Sequence, residues 1–415
     1  MRLARMATVT RTGTSVATEP DLIEATDRGL VCAAGDFVID PWKRTKVSLV
    51  THAHADHARP VADVIYASES SVPLLKRRLG EDLDIRGIPF GERLTFGGTI
   101  VSFHPAGHVL GSAQIRVERR SGAAAGETWV FTGDFKRDAD PSCEAFELVP
   151  CDTFITEATF ALPVYRWQPG PVVAREIFDW WQAMKVAGRP AVLFGYALGK
   201  AQRVLAELAA FTDEEVYVHG AVHPLTELYR EAGIDMLPTR RIDLTDRKVD
   251  YRGRLIVAPP GASGSTWMRR FGNASTGFCS GWMRVRGNRR RRGYDRGFVL
   301  SDHADWPGLL RTIEETGASR VLTTHGQSAA LVRLLREGGL DAAELQTRYS
   351  ADDGEDGAAD EEMPEGRDAP GRTSPVTDVN ANGDAGAKPP AAAGTGGEAG
   401  GETSGESSDS DARRR

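Results

Sequence analysis

Cysteine is scarce in this chain. Four residues in 415, Cys32, Cys143, Cys151 and Cys279, are cysteine, and no two form a C-x-x-C pair. That excludes a disulfide framework and a cysteine-built zinc site, and it suits a reducing, cytoplasmic setting. Long apolar runs are missing too: none approaches the ~20 residues of a membrane-crossing helix. The first twenty residues carry arginines but no apolar segment, so no signal peptide is expected. Phe, Trp, Tyr, Leu and Ile are all absent after Tyr349. A stretch that poor in large apolar groups cannot offset its ordering entropy, which predicts a disordered tail over 349–415. From Ala351 onward the tail holds 16 acidic and 6 basic residues, so the net charge of −7 comes from there. The rest of the chain is mildly basic, with 45 basic and 42 acidic residues, and does not oppose an anionic substrate. The terminal Arg413–Arg415 are expected to be a solvated end.

What is present points to a folded α/β protein. At ~150 residues per domain the length suggests two to three domains. Residues 1–20 lack apolar period and are expected to form a flexible arm. Strands are predicted at 46–50, 63–67, 99–103, 113–117, 128–131 and 153–156, with a helix over 72–79. From Pro171 the pattern changes. Val172, Ile177, Trp180, Trp181 and Met184 mark an amphipathic helix, with the two tryptophans in the core. Strands at 191–196, 216–219 and 255–258 then alternate with helices over 200–210 and 225–232, which predicts a parallel sheet with helical crossovers. A strand at 298–300, a helix over 306–316, a strand at 320–323 and a helix over 329–336 follow.

The densest chemical signal is Thr51-His52-Ala53-His54-Ala55-Asp56-His57, directly after a predicted strand. Three imidazoles and a carboxylate within six residues form an N/O donor set suited to catalytic zinc. Two later segments add donors at strand ends: Ala106-Gly107-His108-Val109-Leu110-Gly111-Ser112, and Phe131-Thr132-Gly133-Asp134-Phe135. Each alone is a weak signal; with the first cluster they complete a two-metal set. His104, His219 and His223 match no motif and are expected to be structural.

This pattern resembles the metal signature of the metallo-β-lactamase superfamily, an H-x-H-x-D-H run followed by a further His and a G-D strand end. Asp40, in Phe37-Val38-Ile39-Asp40, is similar to the family's early strand-end Asp, which buttresses the site. Glu157, within Ile155–Phe160, resembles motif A of the β-CASP nucleases. Ser301-Asp302-His303-Ala304-Asp305 resembles motif B, and Thr323-Thr324-His325-Gly326 motif C. Glu157 and His303 stand 146 residues apart, with room for an inserted domain. The resemblance implies an αββα metallo-β-lactamase fold over 21–160 and 297–348, interrupted by an inserted parallel βα (β-CASP) domain over 161–296.

It also implies roles. One zinc would take His52, His54, His108 and Asp134. The other would take Asp56, His57, Asp134 and His325, with Asp134 bridging. Manganese is the alternative metal. The catalytic set is expected to be His303, Glu157 and Asp56, with His303 as general acid oriented by Glu157, since a neighbouring carboxylate favours the protonated ring. Lys200, at a helix start after Gly199, and the loop residues Gly261, Ser263 and Ser265 are the expected substrate-binding groups. Arg289–Arg292 are expected to be a solvated loop, with contact to a nucleic-acid backbone as the alternative.

Within β-CASP proteins, the segments Gly35–Trp42, His57–Pro60, Phe160–Trp167 and His303–Trp306 resemble bacterial ligase-associated DNA exonucleases. That group is also described as mRNA 3′-end processing factors. The expectation is therefore a zinc-dependent DNA exonuclease in repair, functionally associated with an ATP-dependent DNA ligase. RNA processing is the alternative, because a His at motif C accompanies the RNA branch. A small-molecule hydrolase of the same fold and a non-catalytic nucleic-acid-binding scaffold are the remaining readings.

Overall fold

The computed structural model describes residues 20–246, 248–285, 293–326 and 328–347, and for His325 the backbone alone. The expected arm, the acidic tail and the Arg289–Arg292 run therefore lie outside the described residues, apart from Pro20 at the end of the arm.

Short apolar runs separated by Gly and Asp turns fold as three sheets. The first has the order β1 (Glu24–Thr26), β2 (Gly29–Cys32), β3 (Phe37–Ile39), β4 (Thr45–Leu49), β5 (Ala62–Ser68) and β6 (Ile85–Ile88). The second runs β19 (Asp341–Glu344), β18 (Arg320–Gly326), β11 (Thr153–Ala158), β10 (Thr128–Phe131), β9 (Ala113–Arg119), β8 (Thr99–Pro105) and β7 (Leu94–Phe96). One buried cluster draws on both. Leu30, Ile39 and Leu49 come from the first sheet, and Phe103, Ile115, Phe131, Ile155 and Leu322 from the second.

Helices cover the outer faces. Leu74 and Leu75 of α1 (Val72–Leu79) and Leu225 and Tyr229 of α4 (His223–Glu231) join Ile65 and Ala67 of β5. On the other side, Leu309 and Ile313 of α5 (Trp306–Thr316) and Leu331 and Leu335 of α6 (Ser328–Glu337) pack on Val130, Phe154 and Val321. Helix, sheet, sheet, helix is the expected αββα layering.

The chain leaves the second sheet after β11 and returns to it at β18. Between them it builds the third sheet: β14 (Thr239–Arg241), β13 (Val216–Val218), β15 (Leu255–Ala258), β12 (Ala191–Phe194), β16 (Ser275–Cys279) and β17 (Arg296–Phe298). Every pairing in it is parallel. β12 and β15 are buried along their whole length, as parallel strands covered on both faces must be. α2 (Gly170–Val186) opens with Pro171 and buries Val173, Ala174, Ile177, Trp180 and Trp181, a single helical stripe. With Val204, Leu205 and Leu208 of α3 (Lys200–Leu208), that stripe covers one face of the sheet. Truncating either tryptophan to Ala would cost about 3–5 kcal/mol by the usual core penalty.

One expected strand is displaced. The sheet residues are Arg296–Phe298, and Leu300 has already left the ladder, where its carbonyl accepts from Lys200 Nζ at 2.8 Å. None of the four cysteines, all among the described residues, forms a disulfide. No described helix is long and apolar enough to cross a membrane.

Candidate metal centre

Strand ends bring the titratable residues together. The turn after β4 carries His52–His57, and its His54 carbonyl accepts from the amides of His57 and Ala58 at 3.2 and 2.8 Å. The β8–β9 turn carries His108. Here Gly107 has φ +74°, and a Cβ on it would lie 2.5 Å from the Lys136 carbonyl oxygen, so the glycine serves backbone packing beside the centre. The turn after β10 supplies Asp134, β11 supplies Glu157, and the chain leaving β17 supplies His303.

Asp40 underpins the first turn from beneath. Its backbone sits at φ +44°, a left-handed conformation that Asp tolerates better than most residues. Oδ1 accepts from the Thr51 amide at 2.8 Å, and Oδ2 accepts from Thr51 Oγ1 and His57 Nδ1, both at 2.7 Å.

His52, His54, His108 and Asp134 each present one donor atom within 4.8 Å of the others. His52 Nε2 and His108 Nε2 each lie 3.1 Å from His54 Nδ1. Asp134 Oδ2 lies 3.5 Å from His52 Nε2 and 3.8 Å from His108 Nε2. A tetrahedral zinc with metal–nitrogen bonds of ~2.0–2.1 Å separates its donors by about 3.3 Å, so this set fits a small cation. His52, Asp56 and His57 form a second possible group. His57 Nε2 lies 3.4 Å from Asp56 Oδ2 and 3.5 Å from the same Asp134 Oδ2. One carboxylate oxygen therefore faces both groups. β18 carries His325, but its side chain lies outside the described residues.

The outer nitrogens are also held. His54 Nε2 donates to the Leu198 carbonyl at 3.2 Å and His108 Nδ1 to the Asp302 carbonyl at 2.9 Å. These bonds fix each tautomer and aim the other nitrogen inward, as orientation of metal-binding histidines requires.

The electrostatics agree with that geometry. Burial, aided by His57, holds the His52 pKa well below the usual range. Burial and His108 push His54 down to about 4, and burial and His303 lower His108. Neutral imidazoles are what a metal needs. His57 goes the other way. Burial opposes its charge, but Asp56, Asp134 and Asp40 outweigh burial and hold its pKa well above normal. For Asp56, burial works upward while His57 pulls the carboxyl down to about 2. The acidic side of the centre thus favours positive charge.

His303 stands beside this set, its ring centroid 4.7 Å from that of His108. Its Nδ1 donates to Glu157, 2.8 Å from Oε2 and 3.0 Å from Oε1, and Glu157 Oε1 also accepts from the Phe135 amide at 2.8 Å. Trp167 Nε1 donates to the His303 carbonyl at 2.9 Å. Asp134, Glu157 and His303 also satisfy the distances of a ligand trio.

The substrate-binding expectations fare differently. Lys200 does start α3, but it is wholly buried, 2.9 Å from Asp302 Oδ2 and 2.8 Å from the Leu300 carbonyl. The motif B carboxylate draws the ammonium inward, so it is not an exposed phosphate anchor. Gly261 and Ser265 are exposed and Ser263 is half-buried, and Ser265 Oγ donates to the Ala262 carbonyl at 2.8 Å while accepting from the Trp267 amide. Sequence reasoning missed the buried network around Lys200. Arg203 donates to Asp302 and the Ser301 carbonyl at 3.1 and 2.6 Å and forms an ion pair with Asp140 at 3.0 Å, and Lys136 meets Asp140 at 3.1 Å. The only signal was basic residues three apart at the start of a helix.

No family model matches the chain. A protein of Opitutus terrae named a probable DNA ligase is 36% identical over 304 residues, covering 73% of this chain and 28% of that protein. An endoribonuclease of Eremothecium gossypii is 27% identical over 40% of this chain and 20% of its own length. A ribonuclease of Thermus thermophilus is 25% identical over 52% of each. The chain thus spans about a quarter, a fifth and half of the relatives it matches. The motif set, the αββα layers interrupted by a parallel sheet, the histidine–aspartate centre and these likenesses all fit the β-CASP branch of the metallo-β-lactamase superfamily.

Proposed function

We propose that this chain is a metal-dependent nuclease that hydrolyses phosphodiester bonds with two zinc ions, manganese being the alternative, and that it degrades DNA from an end. The observation that carries the reading is the Asp134 carboxylate oxygen facing both ligand groups, 3.5 Å from His52 Nε2 and from His57 Nε2. His52, His54, His108 and Asp134 would hold one ion. Asp56, His57, Asp134 and His325 would hold the other. Bound there, the metals would supply an activated water and neutralise charge developing on the phosphoryl oxygens.

The chain's own residues do the rest. Glu157 holds His303 by Nδ1, and Nε2 is the nitrogen that would deliver a proton to the departing sugar oxygen. Asp302, through its carbonyl, fixes the His108 ring. The stretch 161–296 is assigned as the inserted domain. Its parallel sheet directs the carboxyl ends of β12, β16 and β17 to the centre, the edge where open parallel sheets bind ligands: β12 leads to Leu198, which accepts from His54, and β17 leads to His303.

The relative named a probable DNA ligase supports DNA as substrate and a DNA ligase as functional partner. The relatives named ribonucleases support a second reading, an RNA 3′-end processing nuclease. Cytoplasmic location belongs to the proposal. The test is a time course on end-labelled single-stranded DNA, duplex DNA and RNA of matched sequence at equal salt, with product mapping. Mononucleotide-scale products released from one DNA end are expected. A DNA rate far below the RNA rate reverses the preference, and no cleavage of either contradicts the nuclease reading.

A further inference from the structure

The same five-residue device occurs twice in the third-sheet region, as Ser265-Thr266-Trp267-Met268-Arg269 and Ser280-Gly281-Trp282-Met283-Arg284. Both copies fold alike. In each, the Ser Oγ accepts from the Trp amide at 3.2 Å, and the Ser carbonyl accepts from the Met amide, at 3.2 Å in the first copy and 3.1 Å in the second. Each opens a short 3-10 helix, Thr266–Phe271 or Gly281–Arg284. In each, the Met turns into the apolar cluster under the sheet, the Trp is half-buried and the Arg is exposed.

Their placement is also matched. The copies follow β15 and β16, the strands on either side of β12, and so sit at the carboxyl edge that also carries the turns to His54 and His303. Strand ends two apart stand about 10 Å from one another. The second copy is linked to the centre through the buried ring of Phe160. Trp282 lies 4.9 Å from Phe160, ring to ring, and Phe160 lies 5.8 Å from His303. Arg284 Nε donates to the Val164 carbonyl at 3.2 Å, and the residue is exposed. The first copy packs Trp267 against His219 at 4.9 Å, with the Arg270 guanidinium 5.9 Å from the ring.

We propose that the two Ser-x-Trp-Met-Arg turns form a track for single-stranded nucleic acid leading to His303, in which Trp267 and Trp282 carry bases and Arg269 and Arg284 meet the backbone. Half-exposed aromatic rings alternating with cations are the recurrent means of holding single strands without reading sequence. A duplex keeps its bases stacked inside, so such a track selects frayed or unpaired ends. The track rests on the nuclease reading and specifies which form of nucleic acid the centre receives.

The experiment uses the full chain and two non-cleavable phosphorothioate probes of about twelve nucleotides, an oligothymidylate and its abasic counterpart. Fluorescence anisotropy gives the affinities, and quenching of the wild-type tryptophan emission gives a readout free of any folding defect. The base-bearing probe is expected to bind about tenfold or more tighter than the abasic one and to quench more strongly. Trp267→Ala and Trp282→Ala should each lose most of that difference, while Trp282→Phe retains it. Arg284→Ala should weaken both probes together and flatten the salt dependence. Equal affinity and equal quenching for the two wild-type probes overturn the track, even if cleavage of nucleic acid is observed. Alanine variants that keep the full difference also overturn it. A wild type that cleaves no nucleic acid refutes the nuclease reading itself, and that outcome is scored separately by the cleavage time course.

Discussion

Lys200 Nζ lies 2.9 Å from Asp302 Oδ2 with both side chains buried, and the pair joins the first turn of α3 to the segment that carries His303. Arg203 doubles the link at 3.1 Å. Removing one partner of a buried pair typically costs about 3–5 kcal/mol, and with Arg203 still paired to Asp302 the loss of Lys200 falls toward the lower end of that range. Lys200→Met should therefore lower the denaturant midpoint sharply, and adding Asp302→Asn should restore part of the loss. A single variant as stable as wild type would remove this pair from the account.

The same pair predicts acid sensitivity. Burial alone would raise the Asp302 carboxyl, but Lys200 and Arg203 outweigh it and hold the group well below the usual carboxylate range. A depressed folded pKa contributes stability above the unfolded value of ~3.9 and loses it as pH falls below that value. Unfolding measured from pH 6 to pH 3 should show stability declining through the lower half of this range. In Asp302→Asn the decline should be shallower; an unchanged slope would contradict the assignment.

His303→Ala should slow cleavage by about 10²–10⁴-fold, the span of general acid catalysis, while bound metal stays near wild type. Glu157→Gln should shift activity in the same direction, because it loosens the 2.8 Å hold on His303 Nδ1. A nitrophenyl phosphodiester, whose leaving group needs little protonation, should restore part of the His303→Ala rate. Metal loss in that variant would instead make His303 a ligand, a role its proximity to Asp134 and Glu157 allows.

The turn holding His52–His57 was plain in the sequence because its groups are consecutive and follow an apolar strand. His108 and Asp134 could be joined to it as donors at strand ends, but Glu157 and His303 lie 146 residues apart, and only resemblance to a known motif set brought them in. Lys200 misled for a physical reason. A cation at a helix start looks the same whether it faces a phosphate or a carboxylate about a hundred residues away, and here Asp302 takes it. Strands escaped notice where they lack apolar alternation. β14 and β19 are sheet edges built of Thr-Arg-Arg and Asp-Ala-Ala-Glu. β16 is interior but carries Gly277, where a Cβ would meet Leu193, Phe298 and Trp180 at 3.0, 2.9 and 3.2 Å; Trp180 fills the space a larger residue would take.

Asp40→Ala should weaken metal binding by about 10–100-fold without touching a metal, since Asp40 holds His57 Nδ1 at 2.7 Å and fixes the Thr51 turn. Metal titration followed by an indicator dye measures this. Wild-type affinity in the variant would show that the turn holds its shape unaided.

The most direct test of the central claim is metal content by elemental analysis, paired with phosphodiester cleavage, for wild type and Asp134→Ala. The shared carboxylate predicts about two zinc or manganese ions per wild-type chain, activity abolished by chelation and restored by metal, and loss of both activity and most metal in the variant. Full metal content in Asp134→Ala, or cleavage that survives chelation, would contradict a two-ion centre built on Asp134.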